Sequence, residues 1–92
     1  MDKRVSVAPN VLVRELQGES VLLDLDSEAY FGLDEIGTGM WRALAASATL
    51  GEACDLLLAE YDVEPQRLRE DLEVFVRELA EAGLVDVADV QP

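Results

Sequence analysis

The chain has no histidine and a single cysteine, Cys54, in 92 residues. Without histidine there is no Ser-His-Asp or Cys-His relay and no imidazole-held zinc. One thiol excludes an internal disulfide, a CxxC redox pair and a cysteine-held iron–sulfur cluster. Cations are scarce as well: seven Lys and Arg stand against twenty Asp and Glu, a net charge of −13. Affinity for nucleic acid comes from cations meeting phosphates, so no nucleic acid is expected as a partner. An anionic membrane surface is disfavoured for the same reason. No apolar run exceeds four residues, Leu56–Ala59 being one, where a spanning helix needs about 20. Met1-Asp2-Lys3-Arg4 is not followed by the apolar stretch of a secretory signal, so the expected location is cytoplasmic.

What is present is apolar substance. Half of the residues are hydrophobic, enough for one compact core that buries roughly 60–65% of the unfolded surface. We expect one domain over residues 1–92 with its ordered core at 5–88. The first third reads as strands. Val5-Ser6-Val7 alternates and is broken by Pro9-Asn10; Val11–Leu16 and Val21–Leu25 follow. With Gly18-Glu19 as a two-residue loop, Leu16 faces Val21, Arg14 faces Leu23 and Leu12 faces Leu25. Arg14 fits that leucine-rich face poorly, and a one-residue slip would move it off.

The remainder reads as helices. Asp34 can cap one that carries Ile36, Met40, Trp41 and Leu44 on one side. Gly37 and Gly39 weaken it by about 1 kcal/mol each against Ala, and they allow a backbone to approach closely. Thr49-Leu50-Gly51-Glu52 is a capping box that opens a second helix, with Leu50, Ala53, Cys54, Leu57 and Tyr61 inward. A third starts at Pro65, with Val63 and Leu68 placed as a hydrophobic staple. Its apolar stripe is Leu68, Leu72, Phe75 and Leu79, within about 60° of arc. Gly83 ends it in the left-handed position, and Leu84 can touch Leu79 across that cap. Leu84–Ala88 is short and extended, and the end, Asp89–Pro92, is expected to be loose. Strands first and helices afterwards imply an α+β fold: a three-stranded antiparallel sheet followed by three helices, a permuted winged-helix-like domain.

Little here suggests chemistry. Asp24, Asp26 and Glu28 have half the spacing of a calcium loop, but Gly32 falls too late for the rest, and a solvated turn is the better reading. Cys54 lies between Glu52 and Asp55 on a helix, where nothing lowers a thiol pKa, so it reads as a small buried hydrophobe. Tyr30-Phe31-Gly32-Leu33 and Trp41 could line a ligand pocket, although packing between sheet and helices is the simpler role. Gly37-Thr38-Gly39 lacks the Gly-Lys that a phosphate loop needs. No catalytic residue, metal or cofactor is expected. Binding is the alternative. If the strands pair in order, Val21–Leu25 has a free edge, and a peptide can cover it as a fourth strand.

The run from Ser20 to Trp41, with its apolar strand, Tyr30-Phe31 pair, Leu33-Asp34, small-residue helix start and Trp41, resembles the PqqD-like proteins. Pro65–Val85, with its Gly83-Leu84-Val85 ending, resembles their third helix. The resemblance runs from about Val5 to Val87. It implies a recognition element for RiPPs, the ribosomally made and post-translationally modified peptides. Such a domain binds the leader of a precursor peptide as an antiparallel strand on strand three, in the groove beside helix three, and is not itself an enzyme. It is most similar to the free-standing leader-binding proteins of lasso-peptide biosynthesis. Their partners are the precursor leader, anchored by a Tyr-x-x-Pro motif, a separate leader-cleaving cysteine protease, and a cyclase. Carried over by position, the peptide-binding residues are Val21, Leu22, Leu23, Asp24, Leu25 and Asp26 on the strand. On the helix they are Leu68, Arg69, Leu72, Phe75, Val76 and Leu79. Val76 and Leu72 are expected on the groove floor opposite Leu23. If the helix is rotated the other way, the groove lies on the flank of Asp71 and Glu78 and a basic leader residue is the anchor. The alternative function is a winged-helix-like regulatory or protein-interaction domain with no leader ligand. Charge separates the two, since helix three carries Arg67, Arg69 and Arg77 against five carboxylates, a poor recognition helix for DNA.

Overall fold

The computed structural model describes residues 3–89. The elements run β1 (Lys3–Val7), β2 (Val11–Leu16), β3 (Glu19–Asp24), β4 (Tyr30–Leu33), α1 (Glu35–Ala45), α2 (Leu50–Glu60), α3 (Pro65–Glu81) and β5 (Val85–Asp89). The α+β class and the three helices behind a three-stranded antiparallel sheet are as expected, but the strands of that sheet are not the expected ones. Its order is β2-β3-β4, while β1 leaves it and pairs antiparallel with β5. Asp89 is therefore strand, opposite Lys3. Val90, Gln91 and Pro92 lie outside the described residues.

The hairpin turns one residue earlier than the sequence suggested. Gln17 and Gly18 both have positive φ, 54° and 86°, as a two-residue turn matched to the strand twist requires. Leu16 consequently pairs with Glu19, Arg14 with Val21 and Leu12 with Leu23. The leucine-rich face holding Arg14 points to solvent, and the arginine costs nothing there. The core side of the sheet is Val11 and Val13, Ser20 and Leu22, Phe31 and Leu33.

Three helix boundaries have a local cause in capping. The Asp34 carboxylate accepts from the Gly37 N–H at 2.7 Å and starts α1. The Thr49 hydroxyl accepts from the Glu52 N–H at 3.2 Å. Glu52 reaches back one residue beyond the cap, accepting from the Ala48 N–H at 2.8 Å. At the end of α3, Gly83 (φ 79°) lets the Leu84 N–H reach the Leu79 carbonyl, at 2.9 Å, and buries Leu84. Gly39 is a close-approach glycine, since a Cβ there would lie 2.6 Å from the Tyr61 hydroxyl.

The core joins Leu22 and Leu33 of the sheet, Met40, Trp41 and Leu44 of α1, Leu57 of α2, and Leu72, Phe75 and Leu79 of α3. On its far side α3 packs on the β1–β5 ribbon through Val5, Leu84 and Val85. One buried polar contact ties sheet to helix: the hydroxyls of Ser20 and Thr38 are 2.7 Å apart. Removing one partner strands the other in an apolar setting. Ser20→Ala should therefore cost about 1–3 kcal/mol, read as a lower denaturant midpoint with unchanged slope.

Candidate functional site: a groove between a sheet edge and the third helix

β3 offers no free edge, which corrects the expectation for Val21–Asp26. It is the central strand, hydrogen-bonded to β2 on one side and β4 on the other. The strand that closes the sheet is β4, Tyr30–Leu33, which the sequence reading weighed as a ligand pocket or as packing and did not read as a strand. The Asp24 N–H donates to the Ala29 carbonyl at 2.9 Å. Bonded and non-bonded pairs alternate along an antiparallel ladder, so Leu22–Phe31 and Ser20–Leu33 are the bonded pairs of β3 and β4. The N–H and C=O groups of Tyr30 and Gly32 consequently point away from the sheet.

Beside that edge runs a groove of about 320 Å³. Gly32, Leu33, Ile36 and Met40 line one wall, and Asp71, Val74, Phe75 and Glu78 of α3 line the other. Ile36, expected in the core, is 66% exposed. It sits where this groove opens into an apolar cavity of about 220 Å³ between Met40, Leu57, Tyr61, Val63 and Leu68. Val63 and Leu68, read as a staple, both line that cavity.

The residues carried over by resemblance scatter around this site. Leu22, Leu72 and Leu79 are fully buried in the core. Val21 and Leu23 stand on the same strand face as Tyr30 and Gly32, turned away from α3. Asp24 ends β3, and Leu25 and Asp26 open the β3–β4 turn: Asp24 Oδ1 accepts from the Asp26 N–H at 3.0 Å, and Asp26 accepts from the Asn10 amide at 2.9 Å. Among the described residues no group of carboxylates or thiols converges to hold a metal. Phe75 does line the groove and Leu68 its adjoining cavity. Val76, expected on the floor opposite Leu23, is on the other flank, 5% exposed, in a hollow with Val5, Leu50 and Val87. Arg69 is on that far flank too, within 3.6 Å of Glu73. The groove thus runs along the acidic side of the helix, with Asp71 and Glu78.

Sequence reasoning missed Ile36, Met40 and Val74, and it named Gly32 only as part of an aromatic segment that could line a pocket, not as a strand edge. Two turn signals, at Gln17-Gly18 and at Leu25–Glu28, would have framed a three-strand meander ending at Leu33. That meander places Gly32 on an edge.

The family model described as Coenzyme PQQ synthesis protein D (PqqD) matches residues 19–85. The solved structure of TbiB1 in complex with the TbiA(beta) leader peptide is 33% identical, covering 88% of this chain and 94% of that one, with a TM-score of 0.81. A lasso peptide synthetase B1 complexed with the leader peptide shares the fold, with a TM-score of 0.77 at 24% identity over 90% of this chain and 98% of that one. No curated protein matches. Since the family model spans β3 through α3 and on into Val85, the chain belongs to the PqqD family.

Proposed function

We propose that the chain recognises the leader segment of a ribosomally made precursor peptide and performs no chemistry of its own. The leader adds as an antiparallel strand to the outer edge of β4, bonding to the main chain of Tyr30 and Gly32. Alternate leader side chains enter the groove against α3. The chain then presents the bound leader to a separate cysteine protease and to a cyclase, as in lasso-peptide maturation, in the cytoplasm where the precursor is made.

The observation that carries this reading is the outer edge of β4, which pairs with no strand among the described residues, beside an apolar-floored groove. The 33% identity to TbiB1, whose solved structure holds a leader peptide, supports it. Strand addition explains both halves of the site: main-chain bonds supply affinity whatever the sequence, and pockets for alternate side chains supply the choice. Val21–Asp26 contributes as the support that holds β4 in place. The regulatory alternative gains nothing from α3, whose Arg69 lies beside Glu73.

Mixing the purified chain with its full-length precursor tests both parts. Calorimetry should show binding that the isolated leader reproduces and the core segment does not. Mass spectrometry should show an unchanged precursor until the protease is added, and faster leader removal with the chain than without it. A cleaved or cyclised product from the chain alone, or no heat with the leader, overturns the proposal.

A further inference from the structure

The geometry points to a cationic occupant for this groove: a peptide strand with Lys or Arg at two positions four residues apart and an apolar side chain midway between them. The inference rests on the leader-binding reading and adds the chemistry of the ligand.

The charged groups lining the groove are Asp34, Asp71 and Glu78, and among the described residues no lysine or arginine lines it. Asp34 is engaged at the start of α1 by the Gly37 N–H. Asp71 and Glu78 form no ion pair among the described residues. Arg67, one turn before Asp71, lines the adjoining cavity and is not bonded to it. Two exposed carboxylates on one wall, in a chain of net charge −13, repel each other and any acidic strand. A cation at each relieves this.

Spacing then selects the pattern. Asp71 and Glu78 are seven residues apart on α3, about 10.5 Å along its axis. Side chains on one face of a strand recur about every 6.7 Å, so residues i and i+4 stand about 13.4 Å apart. On a strand running along the helix axis, long basic side chains at i and i+4 reach both carboxylates by leaning inward about 1.5 Å each. From i and i+2, about 6.7 Å apart, each has to lean outward by about 1.9 Å, the poorer match. The middle residue, i+2, faces Val74 and Phe75, which lie between the carboxylates along the helix.

The test selects random dodecapeptides by display on the full-length chain. It is repeated on Asp71→Asn/Glu78→Gln and on Asp55→Asn/Glu73→Gln, which removes equal charge away from the groove. The parent and the Asp55/Glu73 variant should enrich Lys or Arg at positions four apart around an apolar residue. The Asp71/Glu78 variant should keep the apolar preference and lose the basic one. For one selected peptide, the Asp71/Glu78 variant should bind about tenfold more weakly, and changing both peptide cations to glutamine should add no further loss. Peptides recovered without a basic pair, or with the same pair from all three proteins, overturn the cationic ligand while leaving strand capture standing. Recovery of no peptide by any of the three proteins overturns both.

Discussion

Gly32→Pro should weaken leader capture on the order of 100-fold while leaving the fold intact. The Gly32 N–H faces away from β3 in the alternation set by the Asp24–Ala29 bond, so the ladder does not use it. Proline is tolerated on an edge strand when its missing donor faces outward. A Cβ at Gly32 meets nothing within 4 Å, so a side chain at this position has space on its own face of the strand. The incoming strand, however, loses a donor, keeps an unpaired carbonyl and meets ring carbons on the edge it must approach. Together these are worth about 3 kcal/mol, on the order of 100-fold in Kd. Phe31→Pro is the opposite case. The Phe31 N–H belongs to the bonded pair with Leu22 in the middle of the β3–β4 register. Losing it, together with a ring that packs on the core, should lower the melting temperature by 10 °C or more, since about 1 kcal/mol is worth 4–8 °C in a domain this size. Thermal unfolding and a leader titration on both variants decide the matter. A folded Gly32→Pro that binds like the parent removes β4 as the capture edge.

The same alternation explains why proline in β3 does not probe capture. The Leu25 N–H donates to the Asn10 carbonyl at 2.9 Å, toward the β2 side. With Leu16–Glu19 closing the two-residue turn, Val21 and Leu23 bond to β2 as well, and the even-numbered residues of β3 to β4. A proline there damages the sheet.

The helices were legible because each carries both a period and a punctuation mark. The Asp34 and Thr49 caps, Pro65 and Gly83 fix their ends, and the apolar residues repeat along one face. The hairpin was legible as a pair of strands but two positions off in register, because Gln17 is not a residue expected at positive φ. Two features left no local trace. β4 is four residues long, contains a glycine and runs straight into the Asp34 cap, so period-two alternation has no length in which to show. The β1–β5 pairing joins the two ends of the chain, and nothing in Val5-Ser6-Val7 says which distant strand it meets. Both errors moved the same conclusion. With β1 counted as the first strand of the sheet and β4 unseen, Val21–Leu25 became an edge.

The rotation of α3 was the remaining ambiguity, and it yields the second large effect. At about 100° per residue, Val76 and Val74 lie on opposite flanks of the Leu72–Leu79 stripe. Each is an apolar residue beside charged ones, so the helix alone does not say which flank is covered. The β1–β5 ribbon covers Val76, which is 5% exposed, and leaves Val74 49% exposed in the groove. Val76→Ala should therefore cost about 2 kcal/mol of stability by leaving a void beside Val5 and Leu50, a drop of roughly 8–16 °C, with leader affinity unchanged. Val74→Lys should do the reverse. Lysine is a better helix former than valine, and at this position its ammonium sits three residues after Asp71 and four before Glu78, so the fold should lose little or nothing. The same ammonium stands over the apolar floor and neutralises the carboxylates that flank it, and the leader should bind at least 30-fold more weakly, a change of about 2 kcal/mol. Unfolding and titration on the two variants give a crossed pattern, stability lost in one and affinity in the other. If Val76→Ala is the one that weakens binding and Val74→Lys binds like the parent, the leader lies along the β1–β5 flank of α3, and the groove beside β4 is not the site.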